Sequence, residues 1–275
     1  MGSQLSASLP QAPPSTAGWY TPASGRHPLG ATKIEFRLRV LILVIVISLG
    51  FWAPWIEAWG IGSRIPLLEW LTLKLSRLGL VPFAVASPLM VAIAALIAAL
   101  GAGLRVWGTA WLGAFTVNHH QMKAGAVLAD GPYRYVRNPL YLGTWCMFAA
   151  MAFLMPTTGA VFAMAVVTAF LFRLILGEEA FLRAELGDSY LTYLRTVPRL
   201  LPLLRTPLAP TGRRPQWLRS VFSELNAIGV FVTFALLSWS YDNWLMTRAV
   251  IVSFGVSLLA RAFMPAVRQQ PAPAE

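Results

Sequence analysis

Charge is scarce in this chain. Only 12% of its 275 residues are Asp, Glu, Lys or Arg, against about a quarter in an ordinary soluble domain, while 57% are hydrophobic. Such a composition excludes an ordinary water-solvated domain. Cysteine is nearly missing too: Cys146 is the single thiol, so neither an intrachain disulfide nor a cysteine-based metal cluster can form. Its place inside an apolar run reads as a buried structural thiol. Acidic residues number 11 against 22 Lys and Arg, a formal net charge of +11. Binding of nucleic acid would need that charge on a polar face with stacking aromatics. Here the basic residues stand between apolar runs, so membrane topology accounts for them better.

Residues able to pack a core are also missing from the start, MGSQLSASLPQAPPSTAGWYTPASG. It is rich in Pro, Ser and Ala, holds no run of signal-peptide type, and reads as a disordered tail over residues 1–30. Beyond it the chain is abundantly apolar. A helix crossing the hydrocarbon core needs about 20 mostly apolar residues, because the bilayer offers no water to exposed backbone groups. Leu38–Trp55 and Pro82–Leu104 meet that length. Leu140–Met155 and Thr157–Leu176 read as a hairpin turning at Pro156, and Val221–Trp239 and Leu245–Phe263 as a final pair joined by SYDN. Ile65–Leu80 carries Glu69, Lys74 and Arg77 among leucines, which suits an interfacial helix. The expectation is an all-α integral membrane protein with about six transmembrane helices and a polar cap on one side. There is no internal repeat.

Lys and Arg concentrate in cytoplasmic loops. With a cytoplasmic N-terminus, only Arg64, Lys74, Arg77 and Arg248 of the 22 basic residues fall outside. This bias places both termini, and the polar segments Arg105–Asn138 and Gly177–Ser220, on the cytoplasmic face. In a bacterial cell that membrane is the inner one.

The first polar segment holds ADGPYRYVRNPLYLG, residues 129–143: a turn at Asp130-Gly131-Pro132, then aromatics, two arginines and Asn138-Pro139. Pro139 fits the first turn of a helix, whose free amides form an anion site. The same residues also suit an interfacial anchor, with Tyr133, Tyr135 and Tyr141 at headgroup depth and Arg134 and Arg137 facing anionic lipid. In the second segment Arg173 precedes Glu178-Glu179. Adjacent carboxylates at a membrane boundary call for a partner, and neither stands at helical ion-pair spacing from Arg173. They read either as a ligand-binding pair or as a solvated face pairing with Arg183.

Together these stretches resemble isoprenylcysteine carboxyl methyltransferases and related membrane phospholipid methyltransferases. GPYRYVRNPLYLG is similar to their GPYxxVRHPxYxG signature. Glu178-Glu179, then Gly187-Asp188-Ser189-Tyr190-Leu191-Thr192-Tyr193, then Val197-Pro198-Arg199 follow in that family's order. Gly101-Ala102-Gly103 is similar to its short glycine motif, although Gly-x-Gly in a membrane helix also serves plain close packing. Asn138 stands where the family usually has histidine, and asparagine cannot carry a proton at neutral pH. His119 and His120 nearby read as solvated loop residues.

The resemblance divides the chain into a tail (1–30), N-terminal spans with an interfacial helix (31–95), a methyltransferase core (96–205) and a C-terminal helical pair with its tail (206–275). It implies S-adenosylmethionine as cofactor, held in a cytoplasmic cap by Gly101, Gly103, Gly131, Pro132, Tyr133, Val136, Arg137, Asn138, Pro139, Tyr141, Glu178, Glu179, Tyr190 and Tyr193, with Arg199 closing the site. Arg173 with Glu178 or Glu179 would align the acceptor, and no metal is called for. The acceptor would be a lipid or prenylated small molecule presenting a carboxylate, amine or hydroxyl from the bilayer. Two rivals are weighed. Membrane sterol and enone reductases bind NADPH at a similar core but resemble HPNYxGE where this chain has Asn138-Pro139-Leu140-Tyr141-Leu142-Gly143-Thr144. A non-enzymatic relative that keeps the fold is the other. The residues name no role for the C-terminal pair and no oligomeric state.

Overall fold

The computed structural model describes residues 27–52, 64–112, 129–206, 208–210 and 214–263. Residues 1–26 of the expected tail (1–30), the loop histidines His119 and His120, and the C-terminal tail lie outside them. In chain order the helices are α1 (Lys33–Arg37), α2 (Arg39–Trp52), α3 (Leu67–Arg77), α4 (Phe83–Leu112), α5 (Pro139–Ala152), α6 (Thr157–Thr196), α7 (Trp217–Ser223), α8 (Leu225–Leu237) and α9 (Asn243–Phe263), with a 3-10 turn at Gly131–Arg134 before α5. Among the described residues there is no strand.

Among the described residues three helices are long and apolar enough to cross a membrane: α4, α6 and Asn243–Ala260 within α9. The expected first span, Leu38–Trp55, is described as far as Trp52 in α2 and the rest of it lies outside the described residues. The count rises to four if α7 and α8 form one bent span. The expected hairpin arm at Leu140–Met155 is the short helix α5, of 14 residues. It stops because Phe153 and Met155 give their carbonyls to the amides of Leu68 and Leu67, 3.0 and 2.9 Å away. That contact seats α3, which lies within the stretch Ile65–Leu80 expected as an interfacial helix, against the turn at Pro156 and on α4. Val221–Trp239 is likewise broken: Glu224 leaves helical geometry at φ −107°, ψ 21°.

Small residues bring the central helices together. α4 buries Ala94, Ala98, Gly101, Ala102 and Gly108. A Cβ on Gly101 would lie 3.0 Å from the Gly143 carbonyl, and one on Gly108 2.7 Å from Leu140 Cδ2, so α4 and α5 meet nearly backbone to backbone. Such contact replaces the hydrophobic drive that lipid removes. Cys146 lies half-buried in this seam. α2 meets α6 in the same way, Gly50 against Gly159. One core runs through the bundle from Val46 of α2 through Met147, Met151, Val167 and Leu171 to Val230, Phe234 and Met246 of α8 and α9. The final helical pair therefore packs into the same body as the central helices.

Candidate active site at the polar end of the bundle

The polar end gathers the last turns of α4, the 3-10 turn, the start of α5 and the second half of α6. Gly131 sits at φ +53°, and a Cβ there would fall 2.3 Å from the Trp111 ring. Both the left-handed backbone and the flat contact with the indole require glycine. The turn this permits buries Pro132 and Tyr133, and Val136 behind them is 1% exposed. Pro139 then opens α5 with Asn138 at the cap position.

Asn138 does not cap its own helix. Its Nδ2 donates to Glu179 Oε1 at 3.3 Å and to the Arg199 carbonyl at 3.2 Å. Glu179 is the hub of this end: Arg137 Nη1 stands 3.1 Å from Oε1 and Arg199 Nη2 2.7 Å from Oε2. The Arg137 amide also donates to the Pro198 carbonyl at 2.9 Å. The first motif and the Val197-Pro198-Arg199 stretch thus converge on one buried carboxylate. Three donors offset a desolvation cost of several kcal/mol per ion. An amide donor at position 138 needs no ionisable proton.

Glu178, the adjacent residue, turns elsewhere and accepts from Tyr141 Oη at 2.8 Å. Tyr190 and Tyr193 are buried beyond a break in α6 at Gly187, where φ is +56°. Tyr193 Oη donates to the Tyr133 carbonyl at 2.8 Å. Arg134 donates to the Leu208 carbonyl. Arg134, Arg137 and Tyr141 therefore turn inward onto protein partners and Tyr133 is buried, so they do not make the lipid-facing anchor weighed for them. Burial also pushes the Tyr133 phenol well above its ordinary value, so its hydroxyl stays protonated. That hydroxyl, Trp111 Nε1 and Arg137 Nε are buried polar groups with no protein partner.

Three expected site residues stand apart. Arg173 Nη2 lies 3.0 Å from both carboxylate oxygens of Glu35 in α1, and is joined to neither Glu178 nor Glu179. The Ala31 amide donates to the Arg173 carbonyl at 2.8 Å, and Gly30 meets Gly177 backbone to backbone. The segment His27–Arg37 accordingly crosses α6 one residue before Glu178. Gly101 and Gly103 face apart: Gly101 is taken up by the seam with α5, whereas a Cβ on exposed Gly103 would meet nothing within 4 Å.

Sequence reasoning missed Glu35, Trp111, Arg105 and Glu224. Arg105 Nε stands 2.6 Å from Glu224 Oε2, Arg105 Nη2 3.0 Å from Oε1, and Thr109 Oγ1 2.8 Å from Oε1. Only Glu35 left a local signal, because Thr32-x-x-Glu35 is a capping box.

Comparison with curated proteins and with solved structures finds no match. Residues 89–189 do match the family model described as phospholipid methyltransferase. The match opens in α4, takes in the Gly131–Tyr141 motif and Glu178-Glu179, and ends just past the break at Gly187. The segment bearing both motifs is thus similar to the phospholipid methyltransferases, which fall in the isoprenylcysteine and phospholipid methyltransferase group.

Proposed function

We propose that the protein transfers a methyl group from S-adenosylmethionine to a lipophilic acceptor held in the bilayer: a lipid or prenylated small molecule presenting a carboxylate, amine or hydroxyl. The observation that carries the reading is the division of labour between the paired glutamates. Glu179 is filled by Arg137, Arg199 and Asn138, while Glu178 is held by the single hydroxyl of Tyr141. A carboxylate with hydrogen-bonding capacity left is the natural partner for the ammonium group of an amino-acid moiety.

The residues present suit the cofactor. Trp111 Nε1, Tyr133 Oη and Arg137 Nε are buried donors without protein partners, and the Trp111 ring lies directly on Gly131. Gly131, Pro132, Tyr133, Val136, Arg137, Asn138, Pro139 and Tyr141 would form one wall, Glu178 and Glu179 the acidic side, and Tyr190 and Tyr193 the cover; Gly101, closed in the seam with α5, and outward-facing Gly103 have no part in it. When bound, the cofactor supplies an electrophilic methyl group on a sulfonium. The protein's part is to align and desolvate. Tyr141 orients Glu178, the arginines hold Glu179 in place, and the tyrosines exclude water. Arg173, paired with Glu35, would orient an anionic acceptor only by exchanging that carboxylate for it. A carboxylate acceptor needs little deprotonation at neutral pH; an amine or phenol would need a base.

Arg105, Arg134, Arg137, Arg173, Arg183, Arg195 and Arg199 all lie toward the polar end, which supports a cytoplasmic site with both termini on that side, in the inner membrane of a bacterial cell. Binding of S-adenosylmethionine and of NADPH to the detergent-purified protein tests the reading, with Glu178→Gln and Tyr141→Phe as controls. Saturable S-adenosylmethionine binding weakened in both variants supports it. NADPH binding alone would overturn it in favour of a reductase, and binding of neither would favour a non-enzymatic role.

A further inference from the structure

We infer that Glu224, from the C-terminal helical pair, is a positioning residue for this site, acting through Arg105 on the first turns of α5. The inference rests on the methyl-transfer reading for its functional consequence and on geometry for the rest. Glu224 is 2% exposed and occupies the break between α7 and α8. It accepts from Arg105 Nε and Nη2 and from Thr109 Oγ1. Arg105 also reaches across to α5, where its Nη1 donates to Thr144 Oγ1 at 2.7 Å. Its aliphatic stem lies on Gly143, where a Cβ would fall 2.7 Å from Arg105 Cγ.

The effect is carried along α5. Thr144 and Gly143 stand three and two residues beyond Tyr141, whose hydroxyl holds Glu178. The opening of α5 is therefore fixed by two buried carboxylates. Glu179 pulls on Arg137 and Asn138 immediately before the helix, and Glu224 fixes Thr144 through Arg105. The first lies inside the family-matched segment and the second outside it. α7 reinforces the link, since the Gln216 amide donates to the Ala110 carbonyl at 2.8 Å and Ser220 Oγ to the Val106 carbonyl. These contacts hold the end of α4 that carries Trp111. A guanidinium with one partner on each neighbouring helix transmits position, which a plain apolar contact would not do with the same directionality.

The test uses the full-length protein in detergent or nanodiscs, with Glu224→Gln, Thr144→Val and Thr144→Ser. Three readouts are taken: S-adenosylmethionine affinity, melting midpoint and hydrogen exchange over residues 139–145. Glu224→Gln is expected to weaken S-adenosylmethionine binding by tenfold or more and to speed exchange over 139–145, with exchange over 179–199 unchanged. Thr144→Val leaves the Arg105–Glu224 pair in place, so it should weaken binding severalfold with no change in melting midpoint, and Thr144→Ser should restore wild-type affinity. If Glu224→Gln lowers the melting midpoint while affinity and exchange over 139–145 stay at wild-type values, the pair is a plain structural staple and the inference is overturned. If the wild type binds no S-adenosylmethionine, the methyl-transfer reading fails by itself. Exchange over 139–145 in the Glu224 and Thr144 variants then still decides whether Glu224 positions α5.

Discussion

Tyr141 Oη lies 2.8 Å from Glu178 Oε2, while Glu179, the next residue along the same helix, is turned to Arg137 and Arg199. Successive helical positions are about 100° apart around the axis, so two adjacent carboxylates can serve two different clusters. One of these clusters builds the polar end, and in the other Glu178 accepts from the Tyr141 hydroxyl and feels the charge of Arg39.

Removing the hydroxyl that orients Glu178 is expected to weaken cofactor binding without unfolding the protein. A hydrogen bond to a charged group contributes roughly 1.5–3 kcal/mol, so Tyr141→Phe should lower S-adenosylmethionine affinity by about 10- to 150-fold. Calorimetric titration of the purified variant measures this. An unchanged dissociation constant would remove Tyr141 and Glu178 from the binding site.

Glu179→Ala should act mainly on stability. It leaves Arg137, which is 12% exposed, without its counter-ion, and removing one partner of a buried pair typically costs about 3–5 kcal/mol. Arg199 is 36% exposed, so water can take over part of its solvation and Arg199→Ala should cost clearly less. Thermal midpoints of the two variants in the same detergent give the order, and Glu179→Ala should have the lower one.

How much of this fold and site was legible in the sequence depended on sequence distance. The apolar runs, the turn at Pro156 and the Gly131–Gly143 motif are local patterns, and the helices and the 3-10 turn match them. The lengths of the spans were not local. α5 ends where α3, more than 80 residues earlier, takes the carbonyls of Phe153 and Met155, and no periodicity within residues 140–155 reports that. Glu224 is the sharper case, since its partner Arg105 lies 119 positions away and an acidic residue at the head of an apolar run looks like a membrane-surface charge. Arg173 was sought near the glutamates that follow it, and its acid came from the N-terminal segment. The convergence of Asn138, Arg137 and Arg199 on Glu179 was foreshadowed only by the family resemblance.

Two glycines at positive φ separate conformational cost from steric cost. Gly187, at φ +56°, has nothing within 4 Å of an added Cβ, whereas Gly131, at φ +53°, has the Trp111 ring 2.3 Å away. Gly187, at ψ −133°, lies outside the left-handed helical well, so Gly187→Ala should cost only that backbone penalty, about 1–3 kcal/mol. Gly131→Ala adds displacement of the indole and should lower the melting midpoint further. It should also weaken cofactor binding more than Gly187→Ala does. Pairing Gly131→Ala with Trp111→Ala should recover part of the lost stability, and failure of that double variant to recover any would mean the ring contact is not what selects glycine.

The N-terminal strap should come off in acid. Glu35 is held below its ordinary value first by the Thr32 amide and then by the Arg173 guanidinium. Because the folded value is the lower one, the unfolded state binds more protons between the two, and stability from this group rises with pH. The contribution is complete above the ordinary glutamate value of about 4.3 and is lost as pH falls through the depressed folded value. Both partners are about a third exposed, Arg173 at 39% and Glu35 at 31%, so salt should weaken the pair as well. Hydrogen exchange over residues 31–37 should accelerate below about pH 4 and, at neutral pH, in Glu35→Gln. Exchange over residues 139–145 should not respond. Acceleration at both places together would mean that the strap and the opening of α5 come apart as one unit, and that Arg173 is tied to the site through Glu35.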